Sequence, residues 1–235
     1  MTYYKATRPD GKSFHDAKTA WTVGETVKIK SRDRRKTLCG RGILHAADAP
    51  GETLVGGSWP CRLFELEGTP IAQEGHKFGF HELTVVRELP AWQALGPNGE
   101  AVAALIERAR RLTLDEAERL RASWNASWNA TWNAAADATW NATWNAAADA
   151  AADAAADAAA DAAADAAANA AWNAAAAWYA AANAARNAAA DAALALVVRD
   201  LISQKQFQVL YGPWASVMEA LAEHLTTYPT QNMLS

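Results

Sequence analysis

The stretch Asp149–Asp165 reads DAAADAAADAAADAAAD, an aspartate at every fourth position with only alanine between. It is part of a longer tetrad. Asn or Asp recurs thirteen times without a miss from Asn125 to Asn173, in units such as SWNA, TWNA, AADA and AWNA. After Asn173 the phase slips. Tyr179 stands six residues on, and the period of four resumes through Asn183, Asn187 and Asp191. Alanine is the best helix former, and no Gly or Pro interrupts Thr113 to Tyr211. At about 1.5 Å per residue such a helix would be roughly 150 Å long. The spacing predicts one very long helix, a rod or part of a helical bundle.

Four residues turn a helix by about 400°, so the polar stripe drifts about 40° per tetrad. A period longer than 3.6 implies a right-handed supercoil. Following the stripe completely would need a pitch of about 54 Å, far tighter than ordinary two-stranded coils. The stripe either spirals round a fairly straight helix, or the helix unwinds toward four residues per turn, or it wraps identical neighbours. We expect a compromise, with alanine faces packing and Asn and Asp largely toward solvent. Like charges at i,i+4 cost roughly 0.2–0.5 kcal/mol per pair, and no Lys or Arg lies between Arg121 and Arg186 to offset them. Solubility is one reason to carry such a stripe. A sharper one is an acidic surface, Asp149, Asp153, Asp157, Asp161 and Asp165, that imitates nucleic acid or binds a basic protein. One helix face offers hard cations too few oxygens.

Trp124, Trp128, Trp132, Trp140 and Trp144 form a second row, and Trp172 and Trp178 mark the far end. Left exposed they would make a large apolar patch. They are expected to pack on the head, another helix or a second copy, which makes them the candidate assembly residues of a homo-oligomer. A base-stacking strip is conceivable chemistry, but the acidic surroundings repel phosphate, so nucleic acid is not an expected partner. Ala, Thr and Asn on a long helix also give the composition of helical antifreeze proteins. Threonine is confined here to Thr131, Thr139 and Thr143, so ice binding stays a minor alternative.

The flanks differ from the tract. Residues 1–97 are rich in turn punctuation (RPDGK, CGRG, DAPGE, LEGTP) between short runs of strand character: YYKAT, TVGETVKIK, RLFELEG and ELTVVREL. They predict a small α+β head with about five or six mostly antiparallel strands and one short helix. Trp21, Phe64, Phe78 and Phe80 are among the aromatics for its core. Residues 98–112 predict a connecting helix. Thr113 with Glu116 is a capping box that starts the tetrad helix, 113–193. Residues 194–235 predict a short helical hairpin, two amphipathic helices joined by a turn at Tyr211-Gly212-Pro213-Trp214. The class expected is α+β: a small β head, a very long Ala-rich helix and that hairpin.

Charge divides the chain. Residues 1–121 carry +3 and residues 122–235 carry −7, which together make the net −4. The two cysteines, Cys39 and Cys61, are too few for a disulfide scaffold and are read as thiols. There is no P-loop, no GxGxxG after a strand, no CxxC and no HExxH. The head's His15, Cys39, His45, Cys61, His76 and His81 show no metal-ligand spacing, so no metal and no cofactor is expected. A Cys39–His45 nucleophile pair lacks an orienting group. The basic run KIKSRDRRK, Lys28 to Lys36, reads as a solvated loop, or a contact for nucleic acid or an acidic rod. The polar start MTYYKATRPDGK does not read as a secretory signal, and Asp or Asn at every fourth residue keeps the tract out of a bilayer. No membrane association is expected.

The segments YYKATRPDGKSFHD, CGRGILHAAD, CRLFELEG and HKFGFHELTVVREL resemble an uncharacterised domain family of phage and bacterial proteins, some with alanine tracts studded with Trp, Asn and Asp. The resemblance implies a cytoplasmic setting, in the host cytoplasm or the virion if phage-encoded, and carries no catalytic residues. The turn Gly40-Arg41-Gly42-Ile43-Leu44-His45 is similar to a strand signature of the ADP-ribosyltransferase fold, which implies a nucleotide site at Arg41 and His45. That family's glutamate motif is not identifiable. The leading expectation is therefore a non-enzymatic structural or interaction protein that self-associates through its long Ala/Trp helix. The alternatives are an acidic-rod inhibitor, a nucleotide-binding head and an ice-binding helix.

Overall fold

The computed structural model describes residues 1–30, 38, 42–133, 142–143, 145, 154–175 and 179–227. The chain divides into two compact units, Met1–Ala104 with Ala151–Ala166, and Leu105–Ala150 with Ala167–Ser235.

The first unit is built on one antiparallel sheet. Its strands are β1 (Tyr3–Thr7), β2 (Thr26–Lys28), β3 (Leu44–Ala47), β4 (Arg62–Glu67), β5 (Ala72–Glu74), β6 (Lys77–Phe80) and β7 (Glu82–Leu89). They lie in the order β2-β7-β4-β1-β3-β6-β5. Period-two alternation sets the faces. Pairs Tyr3↔Leu66, Leu44↔Phe80 and Ala46↔Phe78 put the large apolar side chains on one side, where Trp21, Phe64, Leu83 and Val85 complete a buried core. The Tyr3 ring lies 5.1 Å from Phe78 and 4.7 Å, edge-on, from Phe80. The Trp21 indole N–H donates to Ser13 Oγ at 2.8 Å, so the buried ring leaves no polar atom unsatisfied. On the other face Ala6 pairs with Leu63 and Tyr4 with Ala47. Two 3₁₀ turns, Pro50–Thr53 and Ala91–Leu95, pack against each other there, the first also on β1 and β3 and the second on β4.

Seven strands exceed the five or six expected. Leu44–Ala47 is poor in β-branched residues, and Lys77–Phe80 has a glycine in mid-strand. Gly79 is there for space: a Cβ at that position would collide with the Ile43 side chain. Gly75, at φ +54°, makes the tight β5–β6 turn.

The very long helix, and the helical bundle built on it, are not what forms. Among the described residues there are five helices: α1 (Gly99–Ala109), α2 (Leu114–Asn133), α3 (Ala154–Ala175), α4 (Tyr179–Val197) and α5 (Gln204–Thr227), the longest of 24 residues. One bond suffices to exclude the rod. Trp124 Nε1 donates to Asp191 Oδ2 at 3.2 Å, whereas a straight helix would hold residues 67 positions apart at about 100 Å. Ser123 and Ser216, 93 apart, likewise meet at 2.7 Å. Within the second unit α2, α4 and α5 each pack on the other two. Helix α3 ends at Ala175 and α4 begins at Tyr179, on either side of the phase slip.

The expected C-terminal hairpin is also corrected. Tyr211-Gly212-Pro213-Trp214 lies inside α5, not at a turn. Pro213 costs the helix a hydrogen bond, but Pro213 and Trp214 are both buried, and that packing holds the helix through the proline. The turn falls earlier, at Val198–Ser203. Ser203 and Gln206 form a capping box: Gln206 N donates to Ser203 Oγ at 3.3 Å and Ser203 N to Gln206 Oε1 at 2.9 Å. The Thr113–Glu116 box starts α2 in the same way, at 2.9 and 3.3 Å.

Candidate functional site

The second face of the sheet carries a pocket of about 400 Å³. Tyr4 and Ala6 of β1 and His45 and Ala47 of β3 contribute its floor. Glu52, Thr53 and Val55, in and just after the first 3₁₀ turn, form one wall, and Glu74 to Lys77 at the β5–β6 turn form the other. The size is that of a small-molecule site, and a few polar groups converge on a partly apolar lining.

Lys5, between Tyr4 and Ala6, sends its side chain to the core side of the sheet, with its register partner Phe64 and with Trp21. It is half-buried, and Nζ donates to the His45 carbonyl at 3.0 Å and sits 5.1 Å from the centre of the Trp21 ring. Burial lowers its pKa to about 8; the nearby charge of Asp16 opposes that shift and Lys77 adds to it. The Trp21 face favours the ammonium, but burial is the larger effect and lowers the pKa. Asp16 is itself fixed. Burial works against its charge, but Thr19 Oγ1 at 2.6 Å and the Lys18 and Thr19 N–H groups at 3.0 Å prevail and lower its pKa.

Both imidazoles of the pocket are engaged. The His45 ring bonds the Leu38 carbonyl through Nε2, and burial, with Lys77, Lys5 and His15, holds its pKa below the ordinary value although that bond opposes the shift. His76 Nδ1 lies 2.8 Å from Asp48 Oδ1. The Cys61 thiol is buried, and desolvation pushes it up to about 12, which makes it inert.

Of the residues singled out in the sequence, His45 reaches the pocket, while Arg41 and Cys39 lie outside the described residues. Trp124 is half-buried and bonded to Asp191 within the chain. Trp128 and Trp132 belong to α2 and Asp157 to α3, but their side chains lie outside what is described. Trp140, Trp144, Trp178, Asp149 and Asp153 lie outside it altogether. Trp172 is half-buried on α3, and Asp161 and Asp165 are exposed on the same helix. Of the basic run, Lys28 pairs with Glu82 at 3.1 Å, and positions 31–36 are not described. Among the described residues no three His, Cys, Asp or Glu side chains could hold a metal together, and no helix is long and apolar enough to cross a membrane.

The burial of Lys5 is not legible in the sequence. In YYKAT it looks like an ordinary outward lysine of an alternating strand, and only the register of β1 against its neighbours reveals its burial. No known protein family, curated protein or solved structure matches this chain.

Proposed function

We propose that this chain is a non-enzymatic binding protein whose sheet unit captures a small molecule in the pocket over β1 and β3. The observation that carries the reading is the convergence of His45, Glu74, His76 and Lys77 on one cavity of about 400 Å³ floored by Tyr4, Ala6 and Ala47. The engagement of both imidazoles by Leu38 and Asp48 favours holding a ligand over moving protons. The test is ligand-observed and protein-observed NMR with a fragment library. Binders should shift Tyr4, Ala6 and Lys77 and lose affinity in Val55→Trp, which narrows the mouth from a position 59% exposed. Fragment shifts that map elsewhere, or that ignore Val55→Trp, would overturn it.

In α4, Ala185, Ala188, Ala189, Ala192 and Ala193 are fully buried, and α4 packs on α2 and α5 of the same chain. A second reading, capture of a basic protein, is favoured by the exposure of Asp161 and Asp165. It predicts salt-sensitive binding of polylysine that Asp161→Asn with Asp165→Asn weakens.

A further inference from the structure

We infer that this pocket takes a small flat nitrogen heterocycle, without a phosphate, held between Tyr4 and His45 with its N–H groups toward Glu52 and Glu74. The inference rests on the pocket reading and names the chemical class of its ligand.

The register of the sheet builds the floor. Tyr3 of β1 and Leu44 and Ala46 of β3 belong to the core on the opposite face. Alternation therefore turns Tyr4, Ala6, His45 and Ala47 to the pocket that they line. Tyr4 is paired with Ala47, and one step along the same antiparallel ladder Ala6 comes opposite His45. The four make a checkerboard, with two rings on one diagonal and two methyl groups on the other. Diagonal positions across a strand pair are roughly 7–8 Å apart. A flat ring needs about 3.5–4 Å of contact distance on each side. The spacing of Tyr4 and His45 thus suits one flat molecule between them, with methyl groups beneath it. The His45 ring is held in place by the Leu38 carbonyl. Glu65, the neighbour of Tyr4 on its other side, is taken up by Arg87 at 2.7 Å.

The walls set the polarity. Glu52 stands on one and Glu74 on the other. Ionised carboxylates only accept hydrogen bonds. Among the described residues the Glu74 carboxylate has no hydrogen-bond or ion-pair partner. Lys77 is the cross-strand partner of Glu74, and His76 is bonded to Asp48 at 2.8 Å. Each basic group of that wall therefore has an acid beside it, and the pocket gathers no excess of positive charge for a phosphate. A ring that donates N–H bonds complements these walls, and about 400 Å³ has room for a bicyclic one.

The experiment titrates the isotope-labelled full chain with adenine at millimolar concentration, followed by NMR. A ring lying over Ala6 and Ala47 should move their methyl signals upfield, which tests stacking without any substitution. Tyr4→Phe should bind adenine as the unaltered chain does, and Tyr4→Leu about five- to tenfold more weakly, with thermal midpoints reporting that both fold. Benzoate, flat but anionic and without an N–H donor, should bind at least about threefold more weakly than adenine, and so should adenosine 5′-monophosphate. Cyclohexylammonium, a cation that is not flat, should be weaker too. Adenine that leaves both methyls unmoved overturns the inference. So does a folded Tyr4→Leu chain that binds adenine undiminished, or a control that binds as tightly as adenine. If a control then still shifts Tyr4 and Ala6 and loses affinity in Val55→Trp, the binding reading survives. If the shifts from every probe map elsewhere, or ignore Val55→Trp, both readings fall.

Discussion

Asp191 is 7% exposed, and its Oδ2 accepts the Trp124 indole N–H. Burial raises its pKa from 3.8 to about 6, and the indole bond offsets only part of that. Holding the carboxylate charged in the fold therefore opposes folding. The penalty is absent below pH 4, where the group is protonated folded or unfolded. It grows as pH rises through the folded value and is complete above pH 6. Two pKa units correspond to about 3 kcal/mol. Asp191→Asn keeps an acceptor for Trp124 and removes the charge. It should stabilise the helical unit by about 1–3 kcal/mol at pH 7.5 and by little at pH 4, as read by urea denaturation followed by circular dichroism. Equal effects at both pH values would show that the charge is not the cause. Asp161 and Asp165 are exposed, so the same exchange at Asp165 should be nearly silent. At this scale the sequence was a partial guide. It supplied His45 as a site residue for an unrelated reason, and it hid Lys5 and Asp191, whose chemistry comes from burial that one residue's neighbours in the chain do not disclose.

At the scale of the element, end signals and packing competed, and which was legible depended on the competition. The Thr113–Glu116 box marks the start of α2 because nothing opposes it. Ser203 and Gln206 are the same device, overshadowed by a Gly-Pro pair ten residues on that looks like a stronger stop. Buried Pro213 and Trp214 override that stop, a term local propensity does not contain. Removing the cap with Ser203→Ala should cost the helical unit about 0.5–2 kcal/mol, measured by the denaturation midpoint; no loss would mean the α4–α5 turn is set by packing alone. Overfilling is the complementary test. Ala188 is fully buried, and its neighbour Asn187 is exposed. Ala188→Leu should cost about 1–3 kcal/mol, Asn187→Ala close to nothing, and similar losses at both would contradict the packing described here.

For the molecule as a whole, the alanine-rich segment has partners supplied by its own chain. Trp124 with Asp191 and Ser123 with Ser216 close α2, α4 and α5 on one another. Helix propensity is a sum over residues and says nothing about where a chain turns back. That is why the composition pointed to a rod, while the sheet, whose alternation already implies a partner for each strand, was legible in outline. Packing internal to one chain makes stability independent of concentration. The thermal midpoint followed by helical circular dichroism should stay fixed from micromolar to hundredfold higher concentration; a midpoint that climbs would return the alanine faces to an assembly role.

The tetrad and the helix form a vernier, two scales of nearly equal spacing laid side by side. Each tetrad moves the polar mark about 40° round the axis, so nine bring it back to its start. In α4 two divisions of that scale carry it from exposed Asn187 and Asn183 to buried Asp191. The length of such a tract is therefore not a free variable. Gaining or losing one repeat unit, the simplest copying error in a repetitive gene, would rotate everything beyond it by about 40° and slide it by about 6 Å. A different residue would then face Trp124, and the repeat count is held in register by the tertiary contacts at its end.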